Sequence, residues 1–568
     1  GARRRTLAPS AIEKAAMSVG SDPVLARVRD ATSCRQWLGE LPAGAAERLS
    51  AIGGLMARLA RPGIEPDPLF EVLEQVRIEQ VRAIDRWLAP LVVRPVPYAE
   101  SEWERLASAL SSLRASRDLF KRAYSAMLGR HGDDTRSIIP GATNALRVAM
   151  PLARALDAQA RIVSLLLRHR CAPLAADWDA LCVLARHMRR TTFQDETLLD
   201  EVPLVKPMTA RALFVYPLLL QAAALPSRVP AESDFADRLA SRLAAKVGYR
   251  IDHGAPEDNP YGPTFALTPE HAVRFDAHRL PASIARRRQQ WLAAVGESPS
   301  RKAIPLAESA THALLEDLER RWTGASLFVA PGAAGAGADA APTARLRFGL
   351  PRIHAADMQA RPDVRAQEGG ADAPYEYGGR WEQNTIMRLA LGSDVDRRNP
   401  AALVMAEGET VDRVETAPGA RISFVRHGST PRAELGALVA IAPATGLSLA
   451  TIESIEQIPE PDHSRSSGQR ITTRCWPGKP VPAGVKIGEA LSFIDAWLLP
   501  GDAAVGELPS LLVAPGRAHA GARAVLREPE RDVPIRFASL IERGPGYERL
   551  SLRIESPRPS RGPAGEFG

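Results

Sequence analysis

The sequence predicts an α+β multidomain protein, with an all-α helical N-terminal half followed by a small antiparallel β-barrel domain. Three observations carry this. Up to about Trp322, apolar residues recur at helical spacing. A stretch poor in structure-forming residues follows, Ala330–Pro342 (APGAAGAGADAAP). Short β-type runs broken by Gly and Pro come after it, ending in Ile535–Glu555. Helices first and strands later is not the alternating βαβ pattern of a doubly wound enzyme.

The elements can be justified in order. Residues 1–30 read as a flexible basic lead-in. Leu69, Val72, Leu73, Val76, Val81, Ile84 and Leu88 follow the i, i+3, i+4, i+7 rule of an amphipathic helix, with Glu74, Arg77, Glu79, Arg82 and Asp85 mostly filling the other face. Pro90, Pro95 and Pro97 stop it. Ser101 followed by Glu104 predicts a capping box for the next helix. A long helix is expected over Asn144–Arg170. Another opens at Pro173 with Trp178, Leu181, Leu184 and Met188 on one face. Thr209 is a candidate cap for the apolar helix after it. A helix beginning at Ser233 should end at Gly248 in a C-cap role. Residues 249–276 read as a short β insert, and helices return from Pro281 to Trp322. The expected domains are therefore 31–325 (helical), 326–372 (Gly/Ala/Pro-rich linker), 373–557 (barrel) and 558–568 (disordered tail). Within the barrel, candidate strands such as TIMRLALG, AALVMAEG, RISFVRHG and YERLSLRIE are punctuated every eight to fifteen residues, a spacing typical of small barrels and sandwiches. LSFIDAWLLP (Leu491–Pro500) fits either a helix or a strand.

Composition narrows the function classes. The 568 residues allow two or three domains with real cores, and aromatic residues make up only 5%, so those cores rest on Leu, Ala, Val and Ile. The net charge of +7 is mild for this length. Its arginines are scattered (Arg3–Arg5, Arg168, Arg170, Arg189, Arg190, Arg286–Arg288, Arg320, Arg321) rather than gathered into one patch, as a dedicated nucleic-acid binder would have them. Helix faces and C-terminal helix turns are the plainer account, so nucleic acid is not an expected partner. Cys34, Cys171, Cys182 and Cys475 show neither CxxC nor zinc-ligand spacing and read as reduced, mostly buried thiols. His169 and His187 flank a helical segment without completing a ligand set, so no metal is expected. Ala212–Leu225 is short of a membrane span and is interrupted by Pro217. The start GARRRTLAPS lacks the apolar core of a secretory signal. A cytoplasmic protein without a membrane span is expected.

Two motifs carry chemistry. FVRHGST (Phe424–Thr430) is similar to the phosphate-handling loop of histidine phosphatases. There His427 would accept a phosphoryl group and Arg426 would bind phosphate. The context argues against it, because that motif should open an α/β domain. The plainer account is a strand ending in a turn at Gly428. The second motif is Arg361-x-x-x-Arg365. PilZ domains bind cyclic di-GMP with such a pair ahead of a barrel, plus a D/N-x-S-x-x-G element on a strand. Paired guanidiniums grip phosphates and stack on guanine faces. Thr416 and Gly419 fit the later element, Val414 replaces its acid or amide, and Arg413 and Arg421 are basic residues that could substitute.

LFEVLEQVRIEQVRAIDRWL with RPVPYAESEWERLASAL resembles the start of a betaproteobacterial family with a helical N-terminal region and a PilZ-like C-terminal barrel. The resemblance continues in LLRHRCAPLAADWDALCVLARHM, TARALFVYPLLLQAAALPSRV, RISFVRHGSTPRAELGALVAI and IRFASLIERGPGYERLSLRIE, covering about residues 35–555. It implies a non-enzymatic signalling or adaptor protein linked to cyclic di-GMP. The possible ligand is that nucleotide, no other cofactor is expected, and an unidentified protein partner would use the helical half. The departure at Val414 leaves a protein-docking barrel as an alternative. Phosphoryl transfer through the RHG triplet, and binding of nucleic acid or anionic surfaces through the scattered arginines, are the competing classes.

Overall fold

The computed structural model describes residues 22–131 (apart from 62, 63, 93 and 95), 143–191, 193, 195, 208–253, 259–293, 308–324, 343–350, 353, 409–416, 421–427, 433–442, 447–490, 492–501, 506–527 and 532–555. The chain forms two compact units: Gly1–Ala336 with Glu456–Ser467, and Gly337–Ile455 with Gly468–Gly568.

The first unit is helical, with α1 Pro23–Arg27, α2 Ala31–Gly39, α3 Ala45–Leu59, α4 Pro66–Leu88, α5 Glu100–His131, α6 Thr143–Arg168, α7 Ala175–Arg189, α8 Ala210–Ala222, α9 Pro230–Leu243, α10 Leu280–Ala293 and α11 Glu308–Thr323. Local chemistry sets several of the boundaries. The Asp30 carboxylate caps α2 by accepting from Ser33 N at 2.8 Å. Thr209 caps α8, its hydroxyl accepting from Ala212 N. The N-terminus of α5 departs from expectation: the Glu102 carboxylate, not the pair of Ser101 and Glu104, reaches back to Ala99 N at 2.9 Å. The pattern is two positions out of phase with the turn that the backbone makes. Helix α9 starts at Pro230 rather than Ser233, because Pro suits the first helical turn. Gly248 is not a cap but the first residue of strand β1, paired with Asp276. Strands β1 Gly248–His253, β2 Thr264–Thr268 and β3 His271–Asp276 form an antiparallel sheet in the order β1-β3-β2, the expected insert.

Helix α6 is the centre of this unit and packs on α5, α7 and α8. It is buried all round from Pro151 to Ala160, so its charged residues must be paired. Arg154 Nε lies 2.9 Å from Glu74 Oε1, Arg161 Nε lies 3.0 Å from Asp157 Oδ1, and Arg77 Nη1 lies 3.6 Å from Asp157 Oδ2. Arg77, which the periodicity assigned to an outer helix face, is only 4% exposed because α6 covers it. Ala210–Ser227 is apolar enough to cross a membrane by composition, with mean hydropathy 1.2, but 67% of it is buried and it serves as a core helix.

Glu456–Ser467 belongs to the same unit. Fully buried Gln457 accepts from Tyr98 N at 3.0 Å and donates to the His169 carbonyl at 3.2 Å. His463, expected in a polar loop, is 2% exposed: Arg114 Nη2 lies 2.8 Å from its Nδ1, and its Nε2 lies 3.0 Å from Asp177 Oδ2. A guanidinium only donates, so Nδ1 is the acceptor of the Arg114 contact.

The second unit contains two closed six-stranded barrels where the sequence suggested one. The first is β4-β5-β6-β9-β8-β7 and the second β10-β11-β12-β15-β14-β13. Their strands are β4 Thr343–Phe348, β5 Glu409–Thr416, β6 Arg421–Arg426, β7 Leu438–Ala442, β8 Ser448–Pro459, β9 Ser466–Cys475, β10 Val481–Ile487, β11 Ile494–Leu499, β12 Ser510–Val513, β13 Arg523–Arg527, β14 Asp532–Gly544 and β15 Tyr547–Ile554. Closure pairs every edge, which removes the exposed ladder that invites aggregation. Strand β4 lies inside the stretch read as linker, and LSFIDAWLLP supplies strand β11. TIMRLALG and AALVMAEG lie outside the described residues. The second barrel has its own apolar interior, including Val533, Ile535, Phe537 and Leu550. A further cluster joins Leu438 and Leu449 of the first barrel to Trp497, Leu512 and Tyr547 of the second. The β14–β15 hairpin turns at Gly546, whose φ of +80° favours glycine. A Cβ on Gly544 would meet the Gly436 carbonyl oxygen at 2.4 Å, so the backbones approach closely there.

Candidate functional site

The barrel residues singled out from the sequence fall on neighbouring strands. Arg413 and Thr416 are on β5, and Arg421 opens β6. The register sets Arg413 opposite Val425 and Thr416 opposite Ser423, across an irregularity between Val414 and Thr416. Of Arg413 and Thr416 the backbone alone is described. Arg361, Arg365 and Gly419 lie outside the described residues. In the chain order, Arg361 and Arg365 fall between two adjacent strands of the first barrel, β4 and β5, and not ahead of it. Val414 is opposite Phe424, which is fully buried. An apolar residue there serves the barrel interior, which explains the departure from the acid or amide of the motif.

Strand β9 adds what the sequence reading missed. Arg421 pairs with Arg474, Ser423 with Thr472 and Val425 with Arg470. The alternation was present in the sequence: Arg470, Thr472 and Arg474 are separated by the buried Ile471 and Thr473, and Ser423 precedes the buried Phe424. What could not be read was that β9, nearly fifty residues later, pairs with β6. Two arginines directly opposite each other repel. Glu453 relieves this, with Oε2 2.7 Å from Arg421 Nε and Oε1 3.3 Å from Arg474 Nε. Arg474 Nη2 also lies 3.2 Å from Glu542 Oε2. The Tyr547 hydroxyl donates to the other Glu542 oxygen at 2.9 Å, and burial pushes that phenol well above its ordinary pKa. Ser423 Oγ and Thr472 Oγ1 share a hydrogen bond of 3.0 Å. Arg421 is 66% exposed and Arg474 is 45% exposed. The arrangement is a pair of guanidiniums at the protein surface, balanced by the Glu453 and Glu542 carboxylates, beside two hydroxyls. It can take up a phosphodiester by charge-assisted hydrogen bonds.

The RHG triplet stands in a different setting from the one phosphoryl transfer requires. Its strand β6 belongs to a closed antiparallel barrel, and Arg426 is 2% exposed with its guanidinium 4.6 Å from the Phe348 ring centre. The scattered arginines are largely engaged within the protein. Arg168 lies 3.4 Å from Asp237, Arg288 3.5 Å from Glu319 and Arg321 2.8 Å from Asp317, and Arg189 sits over the Tyr249 ring. Cys34, Cys171 and Cys182 are buried free thiols and Cys475 is partly exposed. Among the described residues, no group of three or more His, Cys, Asp or Glu side chains is arranged to hold a metal ion.

A family model described as the N-terminal domain of the cyclic-di-GMP receptor FimW matches residues 32–250, less than half of the chain. The matched stretch runs from α2 to β1. No curated protein and no solved structure matches the chain.

Proposed function

We propose that this protein is a non-enzymatic cyclic-di-GMP effector acting in the cytoplasm. The observation that carries the proposal is the match of its helical half to a domain of a cyclic-di-GMP receptor. The barrel surface adds chemical support. Arg421 on β6 and Arg474 on β9 provide the paired guanidiniums that a phosphodiester needs, and β5, which carries Arg413 and Thr416, pairs with β6. Arg361 and Arg365 from the β4–β5 connection, with Gly419, complete the ligand set in this proposal. The helical unit then serves as the platform for a protein partner.

Calorimetric titration with cyclic di-GMP, with guanosine as control, tests the function. Micromolar or tighter binding to the dinucleotide alone is the expected result. Loss of binding in Arg421→Ala/Arg474→Ala places the site on the β6–β9 face, and loss in Arg361→Ala/Arg365→Ala adds the β4–β5 connection. Binding that survives both double variants keeps the function and refutes the site. No binding to the full chain refutes the function.

A further inference from the structure

A second arginine cluster lies in the helical unit. Helices α2, α3 and α4 enclose a surface pocket of about 280 Å³ lined by Arg35, Leu38, Arg48, Gln75, Glu79 and Arg82, among others. Helical spacing explains how it forms. Arg35 and Leu38 are one turn apart on α2, and Gln75, Ile78, Glu79 and Arg82 share one face of α4.

The charges are unbalanced and held in place. Glu79 is the only carboxylate among the lining residues, against three guanidiniums, and it divides its two oxygens. Oε2 accepts from Arg48 Nη1 at 2.8 Å and Oε1 accepts from Arg82 Nη1 at 2.8 Å. Arg48 is fixed further, donating through Nε to the Pro42 carbonyl at 3.1 Å and through Nη2 to the Leu41 carbonyl at 3.2 Å. Arg35 donates through Nε to the Ala31 carbonyl at 3.4 Å, and among the described residues no carboxylate meets its remaining N–H groups. The rim therefore carries an excess of two positive charges. At least one of its arginines, Arg48, is already ordered by bonds to the protein. Such pre-ordering reduces the entropy lost on binding. Leu38 and Ile78 are apolar lining residues and Gln75 adds a neutral amide.

We propose that this pocket binds the phosphate end of a small phosphorylated ligand of mononucleotide size. Guanidinium forks match phosphate oxygens, the partly exposed Ile78 adds a small apolar patch, and the volume suits one nucleotide rather than a macromolecule. The site is independent of the barrel face, and its test does not depend on cyclic di-GMP binding.

The experiment is calorimetry on the full chain with inorganic pyrophosphate, GMP and guanosine, at low and at raised salt. Pyrophosphate and GMP are expected to bind in saturable fashion, to weaken as salt screens the charges, and guanosine is expected not to bind. Arg35→Ala removes an exposed side chain and should leave the melting temperature unchanged. It should weaken pyrophosphate and GMP by about tenfold or more, the loss typical of a charge-assisted hydrogen bond. Arg35→Lys should recover only part of this, since an ammonium lacks the fork. The Arg421→Ala/Arg474→Ala protein should bind pyrophosphate at this pocket like the wild type. Absence of saturable phosphate binding, or unchanged binding in Arg35→Ala, overturns the proposal.

Discussion

His169 makes the stability of the helical unit depend on pH in a direction that can be measured. Its ring is 2% exposed, and its Nδ1 is 2.8 Å from the Tyr98 hydroxyl, which also lies 3.2 Å from the Leu91 carbonyl. Burial, with help from the neighbouring Arg168 charge, pushes the imidazole down to about 3. In the unfolded chain a histidine titrates near ~6.5. Between these values the unfolded state binds a proton that the folded state refuses. Acidification therefore favours unfolding, and the contribution to stability falls as pH drops below ~6.5. One proton corresponds to about 1.4 kcal/mol lost between about pH 7.5 and about pH 5.5, and the folded value lies too low to limit it over that range. For a unit of this size the loss amounts to a melting-temperature decrease of about 2 °C. Other groups titrate over the same range, so the measurement is the difference between wild type and His169→Gln, followed by calorimetry across pH. Gln cannot take up the proton, so the variant, although less stable at neutral pH, should lose about 1.4 kcal/mol less over this range. Equal pH slopes in the two proteins would refute the reasoning.

Three further outcomes follow from the packing. Asp157→Asn removes one carboxylate from between Arg77 and Arg161; the half-open position of Arg161 softens the loss, so denaturant unfolding should show about 3 kcal/mol of destabilisation, at the low end for broken buried pairs. A change below about 0.5 kcal/mol would show that Glu74 alone satisfies Arg77. Gly544→Ala drives a methyl group into the Gly436 carbonyl and the Tyr547 ring and should destabilise the second unit by about 1–3 kcal/mol in the same assay. Burial pushes the Cys34 and Cys182 thiols up to about 12, and Cys171 is raised by the same cause. A thiol reagent applied to the native protein should therefore label Cys475 first, and rapid labelling of the other three would contradict the buried placement.

The helices were legible because each carries its own pattern. The apolar stripe from Leu69 to Leu88, the Trp178 face and the Thr209 cap are all local signals, and α4, α7 and α8 follow them. What was lost lies between elements. Arg77 looked like a surface residue because α6, which covers it, is far along the chain. The two barrels looked like one because strand runs announce themselves and sheet closure does not. Strand β4 was hidden in a stretch whose Ala, Gly and Pro content reads as linker. At the barrel face, Arg421 is singled out only as a basic residue near the Thr416–Gly419 element, whereas its pairing with Arg474 depends on a long-range strand register that no local pattern encodes. Val414 looked like a defect in a ligand motif until its partner, the buried Phe424, showed what the position is for.

The placement of β4 bears on Arg361 and Arg365 through chain connectivity alone. Ile353 is anchored in the cluster shared by the barrels, and Glu409 is paired with Arg347 on β4. The intervening stretch is thus tethered at both ends to one barrel. Eight residues separate Arg361 from Ile353, so chain length alone places the arginine within about 28 Å of that anchor, at about 3.5 Å for each residue. A tether of this kind keeps a group at an effective concentration of the order of millimolar. In the proposed site, a ligand held by Arg421 and Arg474 and also by Arg361 and Arg365 would engage two parts of one chain, so the second contact would be an intramolecular event. Its affinity could then be tuned by the length of the connection, without altering a single residue in contact with it.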